Sequence, residues 1–224
     1  MIDGHVHVTA DLLPYLQGNT FIANAQSPAE YAYLREQGVD IISAGIHPWE
    51  ADIRSYEEME PILREVPIIG EIGLDNEWCS VDMDVQRAAF RQQLNLAMEL
   101  QKPVVLHTKG MEREILETIR QYPNRYLVHW YSCDSYLQEY INLGCRFTVG
   151  PDVRRDVAEA VPLDRLLMES DGLEAIAWAI GREVSAAEYP QIMGEILNEI
   201  AALRKTDAEA LLRQMEENLE SFLK

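Results

Sequence analysis

The chain has 224 residues, of which 47% are apolar and 25% are charged, a composition typical of a folded globular protein. It excludes collagen-like and disordered proteins, and three cysteines are too few for a disulfide scaffold. The 38 acidic and 19 basic side chains give a net charge of −19, which disfavours diffuse binding to DNA or anionic membranes but leaves room for a local phosphate site.

Short apolar segments alternate with longer amphipathic segments along the whole chain. The short segments are continuous apolar runs, as expected of parallel strands that are covered on both faces. The predicted strands are Ile2–His7, Thr20–Ala25, Asp40–Gly45, Ile68–Ile72, Val104–His107, Tyr126–His129, Arg146–Val149 and Leu166–Ser170. Between them, apolar residues recur at spacings of three and four, which is typical of helices.

The alternation of strands and helices predicts the fold class. Eight units in 224 residues leave 28 residues for each (224/8), enough for one strand, one helix and two short loops. We therefore expect a compact α/β protein, a single (β/α)8 TIM barrel with short loops, and an open doubly wound sheet is the alternative. No linker or charge block divides the chain, so residues 1–224 are expected to form one domain.

The same features predict a location in the cell. The N-terminal residues reach Asp3 and His5 without the basic and apolar regions of a signal peptide. No apolar stretch approaches the roughly 18 residues that a membrane span needs. With few cysteines as well, we expect a cytoplasmic protein that does not contact a membrane, and no feature indicates a protein partner.

All histidines lie at or just beyond the carboxyl end of a predicted strand, and two carboxylates share this position. These residues are His5, His7, His47, Glu71, His107, His129 and Asp171. In a (β/α)8 barrel the carboxyl ends of the strands meet on one face, where barrel enzymes carry their active sites. Imidazole and carboxylate groups without thiolates indicate divalent metal ions, with Zn²⁺, Mn²⁺, Fe²⁺ or Ni²⁺ favoured over Mg²⁺.

These residues lie in segments that resemble the TatD family of metal-dependent hydrolases and deoxyribonucleases, a (β/α)8 branch of the amidohydrolase superfamily. The segments are Asp3-Gly4-His5-Val6-His7, Gly45-Ile46-His47-Pro48, Ile69–Asp75, Pro103–His107, Val128-His129, Glu169-Ser170-Asp171 and the closing pair Asn218 and Phe222. They follow one another in the order that the family shows.

The resemblance implies a site with two divalent metal ions. One ion would be bound by His5, His7, Glu71 and Asp171, and the second by Glu71, His107 and His129, so that Glu71 bridges them. Asp171 would also take a proton from the attacking water, and His47 would contact the substrate phosphate without binding metal. The implied activity is that of a phosphodiesterase or DNase acting on nucleic-acid ends or small phosphoesters.

The substrate side departs from the family pattern. The chain reads His129-Trp130-Tyr131-Ser132-Cys133 where the family usually has His-x-Phe-Ser-Gly, and Lys109 replaces the usual arginine. The tryptophans, namely Trp49, Trp78, Trp130 and Trp178, follow site residues closely and predict an aromatic mouth that either stacks bases or covers a small apolar pocket. The candidate substrate-binding residues are His47, Lys109, Trp130, Arg154 and Arg155, of which the two arginines also fit ordinary solvated side chains.

Three other functions fit parts of the pattern. A hydrolase of a small amide, lactone or ester would share the superfamily's barrel, but Glu71 stands where that chemistry usually places a bridging lysine. A metal-binding protein without catalysis would explain the altered loops. A PHP-type phosphatase normally needs more histidines than this chain has. We therefore expect a TatD-like hydrolase whose substrates are a single-stranded nucleic-acid end, a phosphoester or another small molecule.

Overall fold

The structure is a computed structural model that describes residues 1–52 and 55–224. Its strands are Ile2–His7 (β1), Thr20–Ala25 (β2), Ile42–Ala44 (β3), Ile68–Asp75 (β4), Val104–Lys109 (β5), Tyr126–Val128 (β6), Arg146–Val149 (β7) and Leu166–Met168 (β8). Its α-helices are Leu13–Leu16 (α1), Pro28–Glu36 (α2), Ser55–Glu65 (α3), Met83–Leu100 (α4), Glu112–Ile119 (α5), Leu137–Leu143 (α6), Arg155–Ala160 (α7), Leu173–Ile180 (α8), Tyr189–Arg204 (α9) and Ala208–Leu223 (α10).

The strands form one parallel sheet in the order β1 to β8, with helices in the connections. This arrangement is a nearly closed (β/α)8 barrel and confirms the predicted fold. The doubly wound alternative is wrong, because such a sheet reverses its strand order at a switch point, whereas here each strand lies beside its neighbour in sequence.

The strands are buried on both faces, which explains their continuous apolar sequences. Val104, Val105 and Leu106 of β5, for example, are all inaccessible to solvent although their side chains alternate in direction. One side of each strand fills the barrel interior and the other contacts the helices. Within the described residues, no helix combines the length and the apolar character needed to cross a bilayer.

The predicted strand bounds differ from the observed ones mainly at the carboxyl ends. Strands β4 and β5 extend to Asp75 and Lys109, beyond their predicted ends, because these two residues pair with each other across the strands. Strand β6 ends one residue early at Val128, and β8 ends at Met168. The polar residues that follow β6 and β8 therefore lie in loops at the barrel mouth.

The seam between β8 and β1 is closed by the buried side chain of Asp3. Its carboxylate accepts hydrogen bonds from Ser170 N (3.0 Å), Ser170 Oγ (2.5 Å) and Tyr189 Oη (2.9 Å). Burial raises the pKa of Asp3 to about 7, although these hydrogen bonds oppose the rise. Next to them, Asp171 N donates to His5 O at 3.0 Å, so the closure also places Asp171 beside His5.

Helix α10 is attached to the start of β8 by Asn218. Its Nδ2 donates to Leu163 O at 2.7 Å and to Leu166 O at 2.8 Å, and the side chain is buried. Phe222, one helical turn later, is also fully buried. The closing segment of the sequence thus satisfies two backbone carbonyls at the amino end of the barrel.

We expect Asn218→Ala to lower the free energy of unfolding by about 2–3 kcal/mol, because two carbonyl groups lose their donor. Urea denaturation of the wild type and the variant measures this difference. Asn142→Ala is the matched control, since Asn142 is an exposed asparagine on α6. Equal losses of stability in the two variants would contradict the role given to Asn218.

Candidate active site

The seven predicted histidine and carboxylate residues converge at the carboxyl end of the barrel. Their possible ligand atoms form three overlapping groups, and within each group the atoms lie within 4.8 Å of one another. The groups are His5, His7 and Asp171, then His5, Glu71 and His129, and finally His47, Glu71 and His107. Six of these seven residues, all but the fully buried His5, line a cavity of about 760 Å³ at the barrel mouth, so residues far apart in sequence form one polar centre.

Glu71, on β4, lies at the middle of this centre and is only 2% exposed. Its Oε1 is 2.7 Å from His107 Nδ1, 2.8 Å from His129 Nε2 and 3.3 Å from His47 Nε2, and its Oε2 is 3.3 Å from His5 Nε2 and 3.6 Å from His7 Nε2. Burial acts to raise the pKa of Glu71, but the charges and hydrogen bonds of the surrounding imidazoles hold it well below its usual range. Glu71 is therefore an ionised carboxylate that faces several ring nitrogens.

Two buried carboxylates set the orientation of His107 and His129. Asp75 Oδ2 lies 3.1 Å from His107 Nε2, and Glu169 Oε1 lies 3.3 Å from His129 Nδ1. A carboxylate only accepts, so each of these nitrogens carries a proton, and the opposite nitrogen, which faces Glu71 in both rings, is the atom that could offer a lone pair to a metal ion. Burial acts to lower the pKa of both rings, but the charges and hydrogen bonds of the surrounding carboxylates raise it.

His47 has the opposite arrangement. Its Nδ1 accepts a hydrogen bond from Trp49 N at 3.3 Å, which requires a lone pair on Nδ1. In the neutral imidazole the proton then lies on Nε2, the atom that faces Glu71. Burial lowers the pKa of His47 and favours this neutral form. His47 thus presents an N–H donor to the centre rather than a ligand lone pair.

His5, His7 and Asp171 form the side of the centre where polar atoms lack partners. Among the described residues, neither ring nitrogen of His5 nor Oδ1 of Asp171 has a hydrogen-bond partner, although all three atoms are buried. Asp171 Oδ1 lies 3.5 Å from Nε2 of both His5 and His7. Buried polar atoms without partners are costly, and a cation among them would remove the cost, so this donor set fits a metal ion.

Gly172 allows this side of the centre to form. Asp171 has φ of 58° and Gly172 has φ of 95°, both in the left-handed region. A Cβ atom at Gly172 would lie 2.8 Å from His7 O, too close for any other residue. The glycine after Asp171 is therefore required by the close approach of this loop to β1.

The predicted cationic residues divide into two groups. Lys109, the last residue of β5, lines the cavity, and its Nζ donates to Ser132 Oγ at 2.7 Å. Arg154 donates to Ser132 O at 2.6 Å and forms ion pairs with Asp134 and Asp156. The Lys109 ammonium therefore lies beside the centre, whereas the Arg154 guanidinium is bonded to atoms of the neighbouring loops.

Arg155 lies further from the centre. It is exposed on α7 and pairs with Glu159 four residues later. Within the described residues, neither Arg154 nor Arg155 lines the cavity. The expectation that these two arginines contact the substrate stays a prediction, and in this structure both are paired with carboxylates, Arg154 with Asp134 and Asp156 and Arg155 with Glu159.

The tryptophans all line the cavity, as the sequence predicts. Trp130 is buried and donates from Nε1 to Asp152 Oδ1 at 2.6 Å, and Trp49 donates from Nε1 to Asp75 Oδ2 at 2.6 Å. Trp78 and Trp178 are largely exposed. The mouth of the site is therefore aromatic, with two anchored indoles and two that face solvent.

Sequence reasoning did not assign roles to the residues that hold the centre in place. Asn24 Oδ1 accepts from Glu71 N at 2.9 Å, and Glu169 and Asp75 orient the histidines described above. Each of these polar residues lies within or directly after an apolar strand. A buried amide or carboxylate in such a position needs a hydrogen-bond partner. A polar residue within or directly after an apolar strand is therefore the sequence signal that could have identified these three residues.

Comparison with known proteins identifies a family and a shared fold. The family described as TatD related DNase matches residues 2–224. The 3'-5' ssDNA/RNA exonuclease TatD of Erwinia billingiae is 30% identical over 203 residues, which are 82% of this chain and 77% of that protein. The human 3'-5' RNA nuclease TATDN2 is 23% identical over 193 residues, 78% of this chain, but the match spans only 25% of that protein.

A solved structure supports the barrel independently. The crystal structure of YJJV, a TATD homologue from Escherichia coli K12, aligns with a TM-score of 0.81 at 22% identity and covers 99% of this chain and 97% of that one. At this identity the likeness concerns the fold alone, whereas the family match extends from residue 2 to residue 224. The chain belongs to the TatD-related DNase family.

Proposed function

We propose that this protein is a 3'-5' exonuclease that removes nucleotides from the ends of single-stranded nucleic acid and also cleaves small phosphodiesters. Its family membership establishes the general class, a metal-dependent hydrolase of phosphodiester bonds. The observation that carries the proposal is the ionised, buried carboxylate of Glu71 surrounded by imidazole nitrogens at the floor of an open cavity. The curated TatD relatives named as ssDNA/RNA exonucleases support the choice of substrate.

The arrangement supports two metal positions that share Glu71. His5, His7 and Asp171 would hold one ion together with Glu71 Oε2, and His107 Nδ1 and His129 Nε2 would hold a second with Glu71 Oε1. Imidazole and carboxylate ligands without thiolates favour Zn²⁺, Mn²⁺, Fe²⁺ or Ni²⁺ over Mg²⁺. Bound there, divalent ions supply Lewis acidity and lower the pKa of a water molecule.

The protein's own groups have distinct tasks in such a hydrolysis. The Asp171 carboxylate is 20% exposed beside His5 and His7, with Oδ1 unpartnered among the described residues, and can accept the proton of the attacking water. His47 Nε2–H can donate to a phosphate oxygen as negative charge develops there. The Lys109 ammonium adds a positive charge near the same oxygens. Hydrolysis of carbonyl compounds is not favoured, because the named relatives are nucleases.

Glu71→Gln is expected to reduce phosphodiester hydrolysis by at least about 10³-fold, because the shared carboxylate charge is lost. The assay uses protein of measured metal content with bis(4-nitrophenyl) phosphate and 3'-ended single-stranded DNA, and in parallel with aryl esters and lactones. Glu117→Gln, an exposed glutamate on α5, is the matched control and retains activity. Turnover of the carbonyl substrates alone, abolished by Glu71→Gln, would overturn the proposal.

Removal of metal is expected to lower the melting temperature by about 5–10 °C, because bound ions stabilise the folded state through mass action. Without cations, the crowded carboxylates and imidazoles keep unpaired buried atoms. Differential scanning calorimetry before and after chelation, with metal content verified in both samples, measures the shift. An unchanged melting temperature after verified removal contradicts a buried metal site.

His47→Ala and His129→Ala test the roles inferred from the hydrogen bonds. We expect His47→Ala to keep its full metal content while kcat falls about 10- to 100-fold, because a donor to the phosphate is lost. His129→Ala should lose metal as well as activity. Metal analysis of the two purified variants separates the cases. If His47→Ala loses as much metal as His129→Ala, then His47 is a ligand and its assignment is wrong.

A further inference from the structure

Three tryptophans form one continuous surface on the wall of the cavity, and we call Trp78, Trp130 and Trp178 the aromatic wall. The Trp178 ring lies 5.7 Å from that of Trp78 and 6.0 Å from that of Trp130, with interplanar angles of 68° and 73°. These are edge-to-face contacts, the favourable geometry for neighbouring aromatic rings. Trp178 is therefore held between two other indoles rather than lying alone on the surface.

The wall is anchored to the barrel on both sides. The buried Trp130 ring lies against Gly150, where a Cβ atom would be 2.7 Å from the ring, and its Nε1 is bonded to Asp152. On the other side, Lys109 Nζ lies 4.8 Å from the centre of the Trp78 ring, a cation–π contact. Trp178 is on α8, the helix that follows Asp171 and Gly172 directly. The wall and the proposed metal ligands thus belong to adjoining structural elements.

The indoles that face the cavity are not covered by protein. Trp178 is 64% exposed and Trp78 is 53% exposed, whereas Trp130 is 7% exposed. Leaving so much aromatic surface in water is unfavourable, and a ligand that covers it gains the corresponding free energy. The exposed surface lies in the same cavity as Glu71 and Lys109, within reach of the remainder of a bound substrate.

The charges that line the cavity limit what can occupy it. Among the described lining residues, Lys109 is the one lysine or arginine, while Glu30 and Glu174 add negative charge. A run of several phosphates would be repelled here, but one phosphate beside Lys109 would not. A flat, uncharged aromatic ring is suited to the indoles, and base–aromatic stacking is the usual way in which proteins bind single-stranded nucleic acid.

We propose that the aromatic wall binds the nucleobase of the substrate's terminal nucleotide by stacking on Trp178, with Trp78 beside it. This inference rests on the proposed exonuclease function and specifies its substrate subsite. The cavity of about 760 Å³ accepts one nucleotide with its scissile phosphate next to Glu71 and Lys109. The rest of the strand leaves the site, so recognition depends on the terminal base and not on the length of the polyanion.

The kinetic test compares two substrates that differ only in the terminal base. One is a single-stranded trideoxynucleotide that ends in deoxyadenosine at its 3' end, and the other ends in an abasic tetrahydrofuran nucleotide. We expect Trp178→Ala in the metal-loaded enzyme to lower kcat/KM for the first substrate by about tenfold or more, mainly through KM. The value for the abasic substrate should change less than about twofold, since no base is present to stack.

Two further variants separate stacking from a structural role. Trp178→Phe keeps an aromatic face and is expected to recover most of the lost kcat/KM. Ile180→Ala removes a partly exposed side chain from the same helix, outside the cavity lining, and should leave both substrates unaffected. Equal losses on the base-containing and abasic substrates after Trp178→Ala overturn the proposal, as does an unchanged value on the base-containing substrate.

A binding measurement tests the wall without turnover. Adenosine 5'-monophosphate is expected to quench the tryptophan fluorescence of the metal-loaded protein, whereas ribose 5-phosphate should not, and Trp178→Ala should weaken the binding of the nucleotide about tenfold or more. Equal binding of the two phosphates overturns the aromatic wall as a base site. If the wild type hydrolyses no phosphodiester but still binds the nucleotide in this way, the exonuclease function fails and the base site stands.

Discussion

The structure depends on one buried negative charge, the carboxylate of Glu71. An ionised carboxylate inside a protein is strongly disfavoured unless other groups compensate it. Here imidazoles from several strands supply that compensation, at distances of 2.7 to 3.6 Å from its oxygens. The carboxyl ends of the parallel strands meet around this carboxylate, so the barrel brings side chains that are far apart in sequence to one centre.

The groups behind the histidines determine what each ring can do. Asp75 and Glu169 hold protons on the far nitrogens of His107 and His129, so the nitrogens that face Glu71 are those that would bind a metal ion. The Trp49 amide has the opposite effect on His47 and leaves it an N–H donor. In the proposed function, histidine thus serves both as a metal ligand and as a contact to the phosphate. The net charge of −19 agrees with the proposal that local groups bind the substrate phosphate, since the protein has no general positive field to attract it.

Much of the fold and of the polar centre could be predicted because both have a local signature. Continuous apolar runs mark the strands, and a polar residue at the end of such a run must lie at the barrel mouth, as His129 and Asp171 do. Arg154 shows where such reasoning stops. It follows a strand as well, but Asp156 two residues later and Asp134 twenty residues earlier pair with it, and the local sequence does not indicate the contact with Asp134.

The sequence by itself determined the order of the elements, the family and the set of residues that reach the centre, because these depend on periodicity and on position relative to strand ends. The tertiary structure decided the proton positions of the histidines, the pairing of the arginines and the grouping of Trp78, Trp130 and Trp178. The contacts of His107 with Asp75, of Arg154 with Asp134 and among the three tryptophans join residues tens of positions apart. Such contacts exist only after the barrel has closed.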